Sequence, residues 1–227
     1  MAYFSYRMYS EALLSVIGGT LTSGNRWLSA DRMVLNQETV PRLQHFWKEF
    51  SPLLPDSFYW PTGRTEDSTN IAYRHYCDAL LQDGLVERRI ANAIMGLEAL
   101  FLKPHGEVQE LSFRLKKRVS KVLGCLNFDA LETERVIQDA YACRNRFAHG
   151  GRLSHGERRK LEAEYQSLTT LLTTTLEYLR SSIVASLSVP REKEALIDLV
   201  DDSLIDGKSS NELNSAMSRA RNVLGLT

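Results

Sequence analysis

Apolar residues recur at every third or fourth position along most of the chain, which is the spacing of one face of an α-helix. Prolines, glycines and small polar residues divide this pattern into separate segments. The pattern predicts helices over residues 36–54, 68–82, 85–103, 110–124, 129–150, 154–188, 191–204 and 211–225. The aromatic and glycine-rich stretch 1–35 is compatible with either a short helix or a β-hairpin. We therefore predict an all-α fold from residue 36 onward.

Several helix ends carry their own signals. Ser154 with Glu157, and Ser209 with Glu212, have the spacing of a capping box. In that motif a serine hydroxyl and a glutamate three positions later bond reciprocally to the backbone at the start of a helix. Gly124 is the expected stop of the helix that precedes it. These signals predict one long helix from Ser154 and a short helix that starts near Ser209.

The carboxylate of Glu98 stands in the most apolar of the predicted helices. Its neighbours three and four positions away are Ile94, Met95, Phe101 and Leu102, so its side chain is predicted to point inward. A buried carboxylate without a partner costs several kcal/mol or takes up a proton. Glu98 therefore needs a hydrogen-bond donor, and an arginine is the natural one.

Two interpretations of this donor remain open. A salt bridge, or a hydrogen bond from a tyrosine such as Tyr141, would simply orient two packed helices. Alternatively, Glu98 tethers Arg144 or lines the same cleft as His149. The first interpretation is structural, and the second places Glu98 in a functional site.

The stretch YACRNRFAHGG at 141–151 combines a guanidinium, an amide and an imidazole within six residues. On a helix Asn145 and His149 share a face, whereas Arg144 lies about 140° from His149 around the axis. The two glycines that follow are predicted to end the helix, so His149 lies at its carboxyl end. These three groups suit a phosphate, because one can transfer a proton while the others stabilise charge and orient. The alternative is an ordinary helix end whose dipole favours cations.

Composition limits the classes of function. The chain has 227 residues, and its 28 basic side chains equal its 28 acidic ones, so no global positive field attracts a nucleic acid. Any RNA-binding surface must be local, and each basic cluster is either such a surface or an ordinary solvated helix face. The candidate RNA-binding residues are Arg114, Lys117, Arg118, Lys121, Arg146 and Arg152.

The remaining residue patterns point away from cofactors and membranes. The three cysteines and five histidines show no metal-ligand spacing, so neither a metal nor another cofactor is expected. The amino-terminal residues lack the order of a signal peptide, and no apolar run nears the roughly 20 residues that span a bilayer. We expect a cytoplasmic protein without membrane association.

Three blocks of sequence together resemble the Apea-like branch of the HEPN superfamily. They are RRIANAIMGLEALFL at 88–102, ELSFRLKKRVSKVLG at 110–124 and AYACRNRFAHGG at 140–151. The family pattern has an A-I-x-x-L-E-A-L core, then an E-L-S-x-R-L helix, then a Y-x-x-R-x-x-x-x-H-G ending. All three occur here in that order, and the resemblance covers about residues 36–190.

The resemblance implies a HEPN-type antiparallel helical bundle over residues 36–190, with extra segments at 1–35 and 191–227. It also implies a homodimer, and for many members a metal-independent endoribonuclease in antiviral defence or toxin-type systems. Arg144 and His149 match the family's arginine and histidine, and Asn145 is the polar residue after the arginine. Toxin-type members often carry a tyrosine two positions after the histidine, where this chain has glycine.

The mechanism that the resemblance implies begins with attack of a ribose 2′-OH on the adjacent phosphorus. His149 transfers protons, Arg144 stabilises the developing charge, and Asn145 holds either a phosphate oxygen or the histidine tautomer. Glu98 and Tyr141 support these residues. The alternative is a non-catalytic HEPN module that binds RNA, a nucleotide or a protein partner in a defence system. The motif offers few groups around one phosphate, so we expect a dimer that brings two 141–151 segments together.

Overall fold

The computed structural model of the chain describes residues 39–54, 67–81, 84–103, 110–189 and 191–226. Helices account for 83% of these residues and none of them lies in a strand, so the prediction of an all-α fold is confirmed. The predicted segment 1–35 lies outside the described residues. No helix within the described ranges is both long and apolar enough to cross a bilayer.

The helices follow one another closely along the chain. They are α1 (Thr39–Phe50, continued by the 3-10 turn Ser51–Leu53), α2 (Ser68–Leu81), α3 (Val86–Phe101), α4 (Leu111–Gly124), α5 (Ala130–Ala148), α6 (His155–Tyr165), α7 (Leu168–Ser188), α8 (Lys193–Ser203), α9 (Gly207–Ala216) and α10 (Ser218–Leu224). Helices α2, α3, α4, α5 and α7 form the bundle, and α3 packs against the other four.

The centre of the bundle is built on α3, whose apolar residues are buried on nearly every side. Gly96 lies where α3 meets α2 and α7: a Cβ at this position would stand 2.7 Å from Cδ2 of Leu179 and 3.2 Å from the carbonyl oxygen of Ala72. The glycine therefore lets three helices approach closely. Polar side chains of α3 therefore find their hydrogen-bond and ion-pair partners on neighbouring helices.

The prediction of one helix over residues 154–188 is wrong. The capping box of Ser154 and Glu157 does begin a helix, as predicted, but that helix ends at Tyr165. Gln166 has a φ of 64°, and the hydroxyl of Ser167 then accepts a hydrogen bond from the backbone N–H of Thr170 at 3.1 Å. A serine that caps a new helix competes with continuation of the old one.

The carboxyl-terminal segment also starts and divides differently from the prediction. Asp206, not Ser209, is the N-cap of α9, because its carboxylate accepts from the backbone N–H of Ser209 at 2.8 Å. Glu212 forms an ion pair with Arg191 instead of a capping box. The segment then divides at Met217 into α9 and α10.

The carboxyl end of α4 is closed by a residue that the sequence did not single out. The α-helix ends at Gly124, as predicted. However, the left-handed position is occupied by Asn127, with a φ of 67°. The N–H of Phe128 bonds to the carbonyl of Leu123 at 3.1 Å and that of Asn127 bonds to Gly124 at 3.2 Å. This is the Schellman pattern, which asparagine adopts more readily than most residues.

Candidate active site

The candidate site lies at the carboxyl end of α5, and the backbone there forms a Schellman turn. The N–H of Gly151 donates to the carbonyl of Arg146 at 2.9 Å, and the N–H of Gly150 donates to that of Phe147 at 3.0 Å. Gly150 has a φ of 73°, which a glycine adopts without strain. The predicted helix stop is therefore confirmed, and His149 is the last residue before the chain reverses.

Glu98 and Arg144 form an ion pair between α3 and α5. Nη2 of Arg144 donates to Oε2 of Glu98 at 2.9 Å, and the two side chains are 28% and 16% exposed. Nη1 of the same guanidinium donates to Oδ1 of Asn145 at 3.3 Å. The long arginine side chain thus reaches the amide of its neighbour, although the two Cβ atoms lie on different faces of the helix.

Tyr141 completes this group from one turn earlier on α5. The guanidinium carbon of Arg144 lies 5.7 Å from the centre of the Tyr141 ring, within the range of a cation–π contact. Tyr141 also makes a side-chain hydrogen bond to Glu98. The carboxylate that was predicted to need a donor therefore has two, an arginine and a tyrosine. It forms both the salt bridge and the tyrosine hydrogen bond that the sequence suggested.

The electrostatics of this group follow from its partial burial. Burial raises the pKa of Glu98, and the attraction of Arg144 offsets that rise only in part. Burial, followed by the nearby carboxylate of Glu98, raises the pKa of Tyr141. The phenol therefore keeps its proton at neutral pH and remains a donor to Glu98.

One donor of Arg144 has no acceptor among the described residues. Its Nε is buried and makes no hydrogen bond there, while both terminal nitrogens are engaged. An unsatisfied buried donor costs about 1–3 kcal/mol. The guanidinium of Arg144 therefore has one N–H that no described residue uses.

His149 differs from Arg144 in being exposed. Its backbone N–H donates to the carbonyl of Asn145 at 3.1 Å, which places the imidazole one turn beyond the amide. Within the described ranges the imidazole itself makes no hydrogen bond. The turn therefore exposes the imidazole one helical turn after Asn145, whose side chain contacts Arg144.

The structure removes Arg118 from the RNA-binding candidates, and that prediction is wrong. The residue is 1% exposed, and its guanidinium bonds to both carboxylate oxygens of Asp201 at 2.8 and 2.7 Å. It also donates to the carbonyl of Phe101 at 2.7 Å. These bonds join α4 to α3 and α8, so the arginine stabilises the fold and does not reach solvent.

The other candidates on α4 are accessible but partly engaged. Lys117 pairs with Glu134 at 2.8 Å, and Lys121 donates to the hydroxyl of Ser210 at 2.9 Å. Arg114 is exposed one turn after the start of the helix. Lys121 lies at the end of α4 where α5 begins, far from His149, so it does not extend the site at the other end of α5.

The candidates at the junction of α5 and α6 lie closer to His149. Arg146 donates to Oε1 of Glu157 at 2.7 and 3.1 Å, which holds the start of α6 beside the end of α5. Capping by Ser154, followed by the bond to Arg146, lowers the pKa of Glu157 to about 2. Arg152, between the two helices, is exposed and has no ion-pair partner in the described part of the chain.

The basic cluster that includes Arg152 continues along α6. His155 begins α6, and Arg159 and Lys160 follow on its exposed surface. Arg158 is engaged, because it pairs with the buried Glu87 of α3 at 2.6 Å. The capping box that starts α6 at Ser154 was visible in the sequence, but its contact with Arg146 was not.

No protein-family model, curated protein or solved structure matches this chain. Among the described residues, no three histidine, cysteine, aspartate or glutamate side chains are grouped so that they could hold a metal ion.

Proposed function

We propose that the protein is a HEPN-type endoribonuclease that cleaves RNA without a metal ion, using Arg144, Asn145 and His149. The observation that carries this proposal is the arrangement at the end of α5. Glu98 holds the guanidinium of Arg144 against Asn145, and His149 exposes a free imidazole one turn later. Such a set can bind a phosphodiester and move a proton beside it.

In the proposed reaction the ribose 2′-oxygen bonds to the adjacent phosphorus, and the bond from phosphorus to the 5′-oxygen breaks. His149 accepts the proton of the 2′-OH or donates one to the leaving 5′-oxygen. Arg144 stabilises the negative charge on the non-bridging oxygens, and Asn145 orients one of them. The products are a 2′,3′-cyclic phosphate and a 5′-hydroxyl.

A second copy of the chain completes this site in the proposal. Attack and departure in one step need a base and an acid on opposite sides of the phosphorus. The described end of α5 offers one imidazole, so a two-fold dimer that brings two such ends together supplies the second. Closed two-fold dimers are the most common oligomers of soluble proteins.

Phosphate contacts outside the cleaved bond come from the start of α6 and the turn before it. Arg152, Arg159 and Lys160 are exposed there and have no ion-pair partner in the described part of the chain. Contacts of this kind hold the strand without reading its sequence. A local basic surface of three side chains is compatible with a chain whose basic and acidic residues are equal in number.

A second candidate function is a non-catalytic HEPN module that binds RNA, a nucleotide or a protein partner. The observation that favours it concerns His149. A general base is usually oriented by a third group, and within the described ranges no side chain bonds to this imidazole. The same surface would then bind a phosphate without cleaving it.

Paired histidine variants distinguish the two functions. Wild-type, His149→Ala and His45→Ala proteins are incubated with an end-labelled RNA of mixed sequence. General acid–base catalysis contributes on the order of 10²–10⁴-fold, so His149→Ala is expected to lose cleavage by that factor. His45→Ala, which removes an exposed histidine of α1 outside the proposed site, is expected to retain it. Binding without cleavage by all three proteins supports the non-catalytic module.

An arginine variant tests the role of the guanidinium. Arg144→Lys keeps the charge but cannot bond to Glu98 and Asn145 at once through a planar fork. We expect it to recover little of the activity that Arg144→Ala loses. Full activity in Arg144→Lys would show that Arg144 supplies only a charge, contrary to the proposed geometry.

A further inference from the structure

A groove of about 430 Å³ opens at the opposite end of α5, between α4, the start of α5 and α9. This volume lies within the range of sites for small molecules. Along the axis of α5 the groove is about 28 Å from His149, since each helical residue advances about 1.5 Å. Its lining is formed by Lys117, Ser120, Lys121, Gly124, Cys125, Ala130, Glu134, Leu204, Ser210, Asn211 and Asn214.

The polar groups of the groove include more donors than the protein itself uses. Lys121 donates to Ser210 at 2.9 Å, and an ammonium group has three N–H donors. Its other two have no acceptor among the described residues. The side-chain amide of Asn211 likewise makes no hydrogen bond there. A ligand rich in acceptor oxygens would satisfy these donors.

The net charge of the side chains that line the groove is positive, which also favours an anionic ligand. Lys117 and Lys121 line it together with a single carboxylate, that of Glu134. Glu134 bonds to Lys117 at 2.8 Å, which leaves the charge of Lys121 uncompensated within the groove. A phosphate group suits this end because it is an anion with three acceptor oxygens.

The lining of the groove also includes apolar groups. Leu204, which is 46% exposed, is one of them, together with Ala130 and Cys125. A half-exposed leucine in the same lining as a lysine suits a ligand whose anionic end is joined to an apolar or planar body. Inorganic phosphate would leave these apolar groups unused.

We propose that this groove binds a phosphorylated small molecule of about mononucleotide size. The phosphate is held by Lys121, Ser210 and Asn211, and the body of the ligand lies against Leu204. This site is separate from the proposed ribonuclease site, and neither depends on the other.

Calorimetric titration of the full chain with AMP, inorganic phosphate and adenosine tests this proposal. We expect AMP to bind in a saturable manner, more tightly than inorganic phosphate or adenosine. Lys121→Gln is expected to weaken AMP binding at least tenfold, since a hydrogen bond to a charged group contributes about 1.5–3 kcal/mol. Lys116→Gln is the matched control, because Lys116 bonds to Gln138 at 2.9 Å and does not line the groove.

The same titration can overturn the proposal in three ways. Absence of saturable AMP binding to wild-type protein removes the site. Equal affinities of Lys121→Gln and Lys116→Gln for AMP place the ligand elsewhere. Equal affinities for AMP and inorganic phosphate show that the apolar groups of the lining are not used. Circular dichroism of the variants confirms that each is folded before it is titrated.

Discussion

Replacing Glu98 by glutamine and by alanine separates the two contributions of its carboxylate. Glutamine keeps the shape and one acceptor oxygen but removes the charge. Alanine removes both, and it leaves Arg144 and the hydroxyl of Tyr141 without this acceptor. The pair is less than one-third exposed on either side, so solvent screens it only moderately.

The expected losses follow from the contacts. Arg144 stays cationic in the glutamine variant, so its bond to the new side chain remains a hydrogen bond to a charged group. What is lost is the attraction between two charges, which contributes about 0.2–1 kcal/mol in a pair that solvent partly screens. The raised pKa of Glu98 shows that burial opposes the charge, and removing the charge recovers part of this loss. We therefore expect Glu98→Gln to lose less than about 1 kcal/mol of unfolding free energy, and Glu98→Ala to lose about 2–3 kcal/mol.

Urea unfolding followed by circular dichroism at neutral pH measures both losses. Glu162→Gln is the control, because Glu162 pairs with Arg158 at 3.7 Å and both side chains are more than 40% exposed. Such a surface pair contributes about 0–1 kcal/mol. A Glu98→Ala variant as stable as this control would refute the conclusion that Glu98 holds Arg144 in place.

Three further predictions concern pH, the helix end and assembly. Because burial raises the pKa of Glu98 above its ordinary value of 4.5, the folded protein retains a proton that the unfolded chain releases as the pH rises. The stability of Glu98→Gln relative to wild type should therefore increase in urea unfolding as the pH rises above about 4.5, and a decrease would contradict this sign. Gly150→Ala should lose about 1–2 kcal/mol because its φ is 73°; Gly156→Ala, where a Cβ meets no atom within 4 Å, should lose none in the same thermal unfolding assay. Light scattering after size-exclusion chromatography should give the mass of a dimer at micromolar concentration, and a monomer would contradict the two-copy site.

Periodicity and local signals predicted much of the fold and part of the site. The helices predicted over residues 68–82, 85–103 and 110–124 follow from apolar spacing, because the apolar residues of each are buried against neighbouring helices. The environment of Glu98 could be inferred from its apolar neighbours alone, and the requirement for a donor followed from the cost of burying a carboxylate. The turn after His149 followed from its pair of glycines.

What the sequence did not predict depends on contacts between distant residues or on a choice between local signals. Arg118 was interpreted as a surface cation, and the contact that buries it joins residues 83 positions apart. The helix break at Gln166 lies within a continuous apolar pattern, and only the cap formed by Ser167 marks it. Ser209 was predicted to cap the helix that follows it, whereas the structure uses the carboxylate of Asp206.

Cleavage of two labelled RNA strands of the same sequence tests the proposed function most directly. One strand has ribose and the other has 2′-O-methyl sugars, and both are incubated with the protein in the presence of EDTA. Attack by the 2′-OH predicts that wild-type protein cuts only the ribose strand and leaves a 2′,3′-cyclic phosphate and a 5′-hydroxyl. His149→Ala should leave both strands intact while binding the ribose strand as wild type does. Cleavage of the 2′-O-methyl strand, or equal cleavage of the ribose strand by wild type and His149→Ala, would contradict the proposed mechanism.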